Sequence, residues 1–293
     1  MRNYIELTKP RITWLILMST AIGYYFGLGG GVHGGGVAWS EFRWLVLFHT
    51  LLGTGLLASG TATLNEWYER EADAKMRRTR GRPIPSGRVT PVGALVFGMA
   101  LSIAGFADLA LAVNMTAALW GAATLMTYLF LYTPLKQRTH HATTIGAFPG
   151  AMPPLIGFAA SAGTLSTQAW VLFAILFLWQ FPHFLSIAWM YREDYGRAGI
   201  VMLPVIEPDG KATARQIVVC LALLIPASLA PAALGMAGTV YLFGALALGL
   251  VFFYAGVRVA LDRTALRARR VLLASVMYLP LLYGLLLLDR PRL

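Results

Sequence analysis

The chain has 293 residues, 57% of them hydrophobic and 13% charged, with a mean hydropathy of +0.64 and a formal charge of +11. A soluble domain carries roughly 25% charged residues, and one core stops growing at about 250–300 residues while still needing a polar coat, so a soluble protein is excluded. A basic balance can mark nucleic-acid binding, but the positions of these charges, set out below, exclude that as well.

Before the first apolar run there is no Arg-rich amphipathic presequence. The run itself is too long for a signal h-region and has no small-residue cleavage site after it. These features point to a bacterial inner (plasma) membrane protein. The single cysteine, Cys220, lies in an apolar run and can form no intrachain disulfide. A helix needs about 20 mostly apolar residues to cross the hydrocarbon core. Nine such runs follow in order: 11–28, 44–64, 92–111, 115–132, 143–162, 169–189, 216–235, 239–257 and 271–288. Gly and Pro interrupt several of them, as in 146–154, which spanning helices tolerate. No alternation of the kind a transmembrane barrel needs is present. The expectation is an all-α, polytopic transmembrane helical bundle of about nine spans, forming a single transmembrane domain over 1–293.

The connections after runs 3, 5 and 7 carry no Lys or Arg, whereas those after runs 2, 4, 6 and 8 carry 7, 2, 4 and 5. With Arg2, Lys9 and Arg11 of the N-terminal tail, 21 of the 24 basic residues fall on one side. The first outer loop has Arg43, and the C-terminal tail Arg290 and Arg292. The positive-inside rule makes the rich side cytoplasmic, with the N-terminus inside and the C-terminus outside. A nucleic-acid binder has no reason to sort its charge by the parity of its apolar runs.

The first chemistry-bearing segment is 65–87, with four carboxylates and six basic residues against the cytoplasmic end of run 2. If the helix continues past Asn65, then relative to that residue Glu69 lies at about 40°, Asp73 at about 80° and Glu66 at about 100°, while Glu71 falls at about 240°. Carboxylates that share a face repel one another, which implies a bound cation. Hard oxygen ligands suit Mg²⁺, which also binds substrate phosphates. The adjoining Lys75, Arg77, Arg78, Arg80 and Arg82 would neutralise the rest of a diphosphate. The rival reading is a solvated loop with i,i+4 ion pairs and lipid-headgroup contacts. The one-face spacing and the following Arg82-Pro83-Ile84-Pro85 favour the site.

The cytoplasmic loop 132–141 adds Lys136 and Arg138 at a depth that suits an anion, while His140-His141 reads as solvated loop. The segment 179–199 ends run 6 on the same side. Relative to His183 on a continuous helix, Asp194 lies at about 20°, Gln180 at about 60° and Tyr191 at about 80°, a polar stripe from membrane depth to the surface. An ionisable group within a span is a functional-site hypothesis; for His183 the alternative is an interhelical hydrogen bond.

At these residues the chain resembles the UbiA superfamily of intramembrane prenyltransferases, and within it the heme-farnesylating branch. Asn65, Glu69, Glu71, Asp73, Met76, Arg78, Thr79 and Arg82 match the first motif of that branch. Tyr132-Thr133, Lys136 and Arg138-Thr139 match its second loop, and Pro153-Pro154-Leu155-Ile156-Gly157 its mid-chain signature. Trp179-Gln180, Pro182-His183-Phe184, Glu193-Asp194-Tyr195, Ala198-Gly199 and Met202-Leu203-Pro204 match its third motif. The likeness runs from about Leu7 to the last span. Glu66 and Glu69 stand where the superfamily usually has Asp, and Ala198 where quinone-type relatives have a later Asp.

The resemblance implies transfer of farnesyl from farnesyl diphosphate to a vinyl group of heme B. Mg²⁺ would be held by Glu66, Glu69, Asp73 and Asp194, with Asn65 orienting a carboxylate or a metal-bound water. Arg78, Arg82, Lys136 and Arg138 would supply positive charge for the diphosphate, and Tyr191 would line the same site. His183 would contact the porphyrin, as an iron ligand or a propionate partner. Partners on this reading are the lipid bilayer and the heme A-forming enzyme, and no nucleic acid. The rivals are another UbiA-type enzyme acting on a quinone precursor or chlorin, and a transporter or lipid-anion binding protein. Apart from the parallel loops after runs 2 and 6, there is no internal repeat of the kind transporters show.

Overall fold

Capping and chain-breaking residues decide where the apolar runs start and stop as helices. The computed structural model describes residues 2–29 and 43–290; Arg292, counted above with the outer tail, lies outside them. The helices are α1 (Arg2–Leu7), α2 (Pro10–Leu28), α3 (Trp44–Lys75), α4 (Pro91–Asp108), α5 (Met115–Met126), α6 (Thr133–Leu135), α7 (Ala142–Ala151), α8 (Pro153–Ala162), α9 (Thr167–Met190), α10 (Arg192–Arg197), α11 (Leu203–Ile206), α12 (Lys211–Ala233), α13 (Thr239–Leu261) and α14 (Ala265–Leu288). Pro91 opens α4 behind Thr90, whose hydroxyl accepts from the Gly93 N–H at 3.1 Å. Asn114 caps α5 in the same way, accepting from the Ala117 N–H at 2.8 Å. Both are the side-chain caps expected at helix starts. The π-helical turns Leu109–Val113 and Thr127–Tyr132 continue α4 and α5.

Eight helical stretches are long and apolar enough to span a bilayer: Trp44–Lys75, Pro91–Val113, Met115–Leu135, Ala142–Ala162, Thr167–Met190, Lys211–Ala233, Thr239–Leu261 and Ala265–Leu288. The remaining expected span, 11–28, folds as the 19-residue α2, which carries Arg11, Thr13, Ser19, Thr20 and two tyrosines among its apolar residues. The protein is a multi-pass membrane protein, helical throughout with no strand among the described residues. Expected span 143–162 divides at Met152, because the ring of Pro153 cannot continue the preceding helix without restarting it.

Two apolar clusters tie the bundle together. One joins α9, α12, α13 and α14 through residues such as Leu172, Ile175, Leu221, Phe252 and Leu282. The other joins α2, α3, α5 and α8 through Tyr24, Leu57, Ala117 and Ile156. Where α2 crosses α8, side chains have no room. A Cβ on Gly157 would lie 1.9 Å from the Thr20 carbonyl oxygen, and one on Gly23 2.0 Å from that of Pro154. Close backbone approach of this sort is what small residues provide between membrane helices, and it gives the mid-chain Pro-Pro-Leu-Ile-Gly run a packing role. Gly157→Val is expected to cost about 1–3 kcal/mol or more by overpacking, read as a lower thermal midpoint in detergent; an unchanged midpoint would contradict the contact. Towards the other end of α3, His49 Nδ1 lies 2.8 Å from Asp108 Oδ1 and locks α3 to α4.

Candidate active site

The helix does run past Asn65, to Lys75, and its polar face turns inward as the spacing predicted. Asn65, Glu66 and Asp73 are buried, whereas the Glu71 side chain is 84% exposed on another face. Asn65 Nδ2 donates to Thr133 Oγ1 at 3.2 Å, which fixes α3 against α6. Each carboxylate of this face meets a cation from a different part of the chain. Glu66 Oε1 lies 3.5 Å from Lys9 Nζ and 3.6 Å from Arg82 Nε. Asp73 Oδ2 accepts from Arg82 Nη1 at 2.7 Å, and Glu69 Oε1 is 2.8 Å from Lys136 Nζ.

These pairs tune the cations. Burial opposes the charge of Arg82, but Asp73 and Glu66 outweigh it and raise its pKa. Burial likewise works against Lys136, but Glu69 and the hydroxyls of Tyr132 and Tyr128 hold it well above its ordinary value. Lys9 goes the other way, down to about 8, because burial and then Arg82 oppose its charge more than Glu66 and Glu69 support it. Lys9 is also the only non-glycine residue with positive φ among those described, at 49°. That left-handed turn, costly for an L-residue, sits at the corner between α1 and α2 and brings the amine to Glu66.

The third motif joins the same assembly. Met76 packs with Ala72, Ala188, Ala198, Ile200 and Met202. The Arg77 N–H donates to Asp194 Oδ1 at 3.4 Å. Arg78 Nη2 donates to the Tyr195 hydroxyl at 3.2 Å, and its guanidinium lies 5.2 Å from the centre of the Tyr191 ring. The Val201 N–H donates to the Lys136 carbonyl at 2.8 Å, so all three charged segments meet. The expectation that the two acidic segments gather at one end of the bundle therefore fits this geometry.

Three placements differ from the sequence reading. The helix of run 6 ends at Met190, and Tyr191 breaks it with φ −113° and ψ 21°, so Asp194 rides on the separate α10 and the continuous stripe is lost. The carboxylate of Asp194 is engaged by Arg197 and by the Arg77 N–H, not by the cations that hold Glu66, Glu69 and Asp73. Arg138 is exposed, and its side chain makes no hydrogen bond or ion pair among the described residues.

The acidic groups also do not form a ready cage. Among the described residues no three His, Cys, Asp or Glu side chains stand close enough to hold a metal by themselves. Their donor set still fits Mg²⁺. It is all oxygen, and Glu66 Oε2 is buried without a hydrogen-bond partner. Mg²⁺ typically takes one or two carboxylates and completes its shell with waters and substrate phosphates.

Deeper on α9, His183 makes an interhelical hydrogen bond, the alternative its place within a span allowed. Its Nδ1 lies 2.8 Å from Ser275 Oγ of α14, and its ring stacks on Trp179 at 4.8 Å between centroids. Trp179 in turn donates its indole N–H to the Ser275 carbonyl at 2.8 Å. Ser275 has one hydroxyl proton, and it is spent on the Leu272 carbonyl at 2.6 Å. In that arrangement its oxygen accepts from Nδ1–H of His183, the tautomer that leaves a lone pair on Nε2. Nε2 makes no hydrogen bond among the described residues. Gln180, one turn away, turns to another neighbour and donates to the Ala147 carbonyl at 3.1 Å.

Sequence reasoning missed Lys9, Arg197 and Ser275 as site residues, and named Thr133 only within a matched motif. The Lys9-Pro10 step at the mouth of the first span and a lone serine within an apolar run were the available signals.

The UbiA prenyltransferase family matches residues 13–282. A protoheme IX farnesyltransferase of Solibacter usitatus (strain Ellin6076) is 66% identical over 295 residues, covering 99% of each chain. One of Koribacter versatilis (strain Ellin345) is 47% identical over 298 residues, covering 99% of this chain and 94% of its own. Among solved structures, that of a digeranylgeranylglyceryl phosphate synthase superposes with a TM-score of 0.79 at 18% identity, covering 99% of this chain and 98% of that one. A UbiA homolog from Archaeoglobus fulgidus bound to GPP and Mg²⁺ gives 0.66 at 16% identity, covering 97% and 99%. At such identities the structural likeness speaks for the fold alone.

Proposed function

The chain belongs to the UbiA prenyltransferase family, and from that premise we propose that it transfers the farnesyl group of farnesyl diphosphate to a vinyl group of heme B, giving heme O. The observation that carries this is the 66% identity over 99% of both chains with a protoheme IX farnesyltransferase. The buried lattice of carboxylates and cations supports it as a diphosphate site, and His183 as a porphyrin contact. The protein would work in a bacterial inner membrane with this lattice on the cytoplasmic side, and its product would suit the heme A-forming enzyme.

Glu66 and Asp73 would hold Mg²⁺, with Glu69 and Asp194 close by, and the ion would supply positive charge to the diphosphate. Arg82, Lys9, Lys136 and Arg78 face the oxygens on which negative charge grows as the C–O bond to the farnesyl carbon breaks. A phosphate oxygen that takes Lys136 or Arg82 from its carboxylate would leave that carboxylate to the Mg²⁺, so the buried negative charge would keep a counter-charge. Asn65, anchored on Thr133, keeps the acidic face of α3 in register. The allylic cation is shielded from water among the spans until the vinyl π-electrons attack it. Addition of water to the resulting cation, with loss of its proton, completes the hydroxyethylfarnesyl side chain. His183 Nε2, with its lone pair available, would ligate the heme iron and orient the vinyl edge.

Purified protein given heme B, farnesyl diphosphate and Mg²⁺ should yield heme O by mass spectrometry, and a chelator should suppress turnover at least about 100-fold. Prenylation of a quinone precursor with heme B left untouched would replace this acceptor with the quinone.

A further inference from the structure

Beside Asp194, the break between α9 and α10 opens a cavity of about 330 Å³ against the start of α14. Three arginines line it, Arg77, Arg192 and Arg197, together with Glu193 and Asp194. Asp194 is already satisfied by Arg197 and the Arg77 N–H. Among the described residues the Arg192 side chain makes its hydrogen bond (3.3 Å) and ring contact (4.5 Å) with Trp189 and no ion pair, and the Arg77 side chain has no ionic partner. Two guanidinium groups thus share one cleft against Glu193 alone. Arg82 and Lys9, not these arginines, hold Glu66 and Asp73.

The cleft lies in line with His183. Met190, which lines it, is seven residues further along α9 than His183, so the two are about 20° apart around the axis and about 10 Å apart along it. The same seam is walled by α14, where Ser275 holds His183 and Ala265 borders the cleft. A porphyrin whose iron sits on His183 Nε2 extends its propionate edge over about this reach, from the apolar bundle to the aqueous boundary. Guanidinium forks match carboxylates in shape as well as charge.

We propose that this cleft is a carboxylate-binding site in which Arg77 and Arg192 receive the two propionates of the acceptor, apart from the lattice that receives the diphosphate. The proposal rests on heme being the acceptor. It also assigns Asp194 a place at the junction of the two anion sites, where Arg197 keeps its charge from repelling the propionates.

The test is an absorbance titration of the full-length protein in detergent with heme B and with its propionate dimethyl ester, and a calorimetric titration with farnesyl diphosphate. Wild type should bind heme B at least about tenfold more tightly than the ester. Arg77→Gln with Arg192→Gln should remove that preference while leaving ester and farnesyl diphosphate binding unchanged, and Arg192→Lys alone should keep part of it. A double variant that loses farnesyl diphosphate binding would place these arginines in the diphosphate site and overturn the separate cleft. Equal wild-type affinity for acid and ester, or a double variant that keeps the preference, overturns the cleft and leaves the heme reading standing. Wild type that binds farnesyl diphosphate but neither porphyrin overturns the heme reading and the cleft with it.

Discussion

Asp73→Asn is expected to lower turnover by at least about 10²–10³-fold while the protein keeps its fold and its melting behaviour. Asp73 is almost fully buried, and its carboxylate makes the shortest contact in the lattice, 2.7 Å to Arg82. The amide is nearly isosteric and its oxygen still accepts from Arg82, so packing survives. What is lost is a full negative charge at a buried position next to Glu66, and with it an anionic ligand for the hard cation that accompanies the diphosphate. Single-turnover measurements over a range of Mg²⁺ concentrations check this. Full activity with unaltered Mg²⁺ dependence would remove Asp73 from the metal site. Asp194→Ala should fall in the same range, with the added effect of freeing Arg197.

The second large effect concerns His183. His183→Ala is expected to weaken heme B binding by about 10–100-fold or more, the range over which even the outer partners of metal ligands act, with farnesyl diphosphate affinity unchanged. Ser275→Ala separates ligation from mere packing. Removing the oxygen that accepts from Nδ1–H frees the ring to adopt the other tautomer and to rotate, so the Soret band of bound heme should shift and affinity fall by less than in His183→Ala. A histidine that served only to pair α9 with α14 would give two variants of equal and small effect on heme and a shared loss of thermal stability.

Legibility in the sequence differed from residue to residue for physical reasons. The face formed by Asn65, Glu66, Glu69 and Asp73 could be read in advance, because a helix repeats about every 3.6 residues wherever it continues, and nothing in 65–75 stops it. The same arithmetic failed at Asp194. It assumed an unbroken helix through Tyr191, where the chain instead bends into α10. No proline or glycine marks that break, and Tyr191 is bent by its surroundings, with its ring under Arg78. Arg138 was grouped with Lys136 by adjacency, but they face apart. Lys136 reaches Glu69 and Arg138 stays in water.

The linear chain alone determined that this protein spans a membrane as helices, which side bears its charge, and which acidic residues share the inner face of α3. Those properties follow from apolar run length, charge parity and helical period, all of them local. Which cation meets which carboxylate, the proton on Nδ1 of His183 and the arginine cleft beside Asp194 were decided only by tertiary structure. Each depends on groups brought together from positions far apart along the chain: Lys9 with Glu66, Glu69 with Lys136, His183 with Ser275. Within a bilayer, a buried polar atom without a partner is costly, so the partners found on folding, rather than the residue types themselves, fix what each group can do.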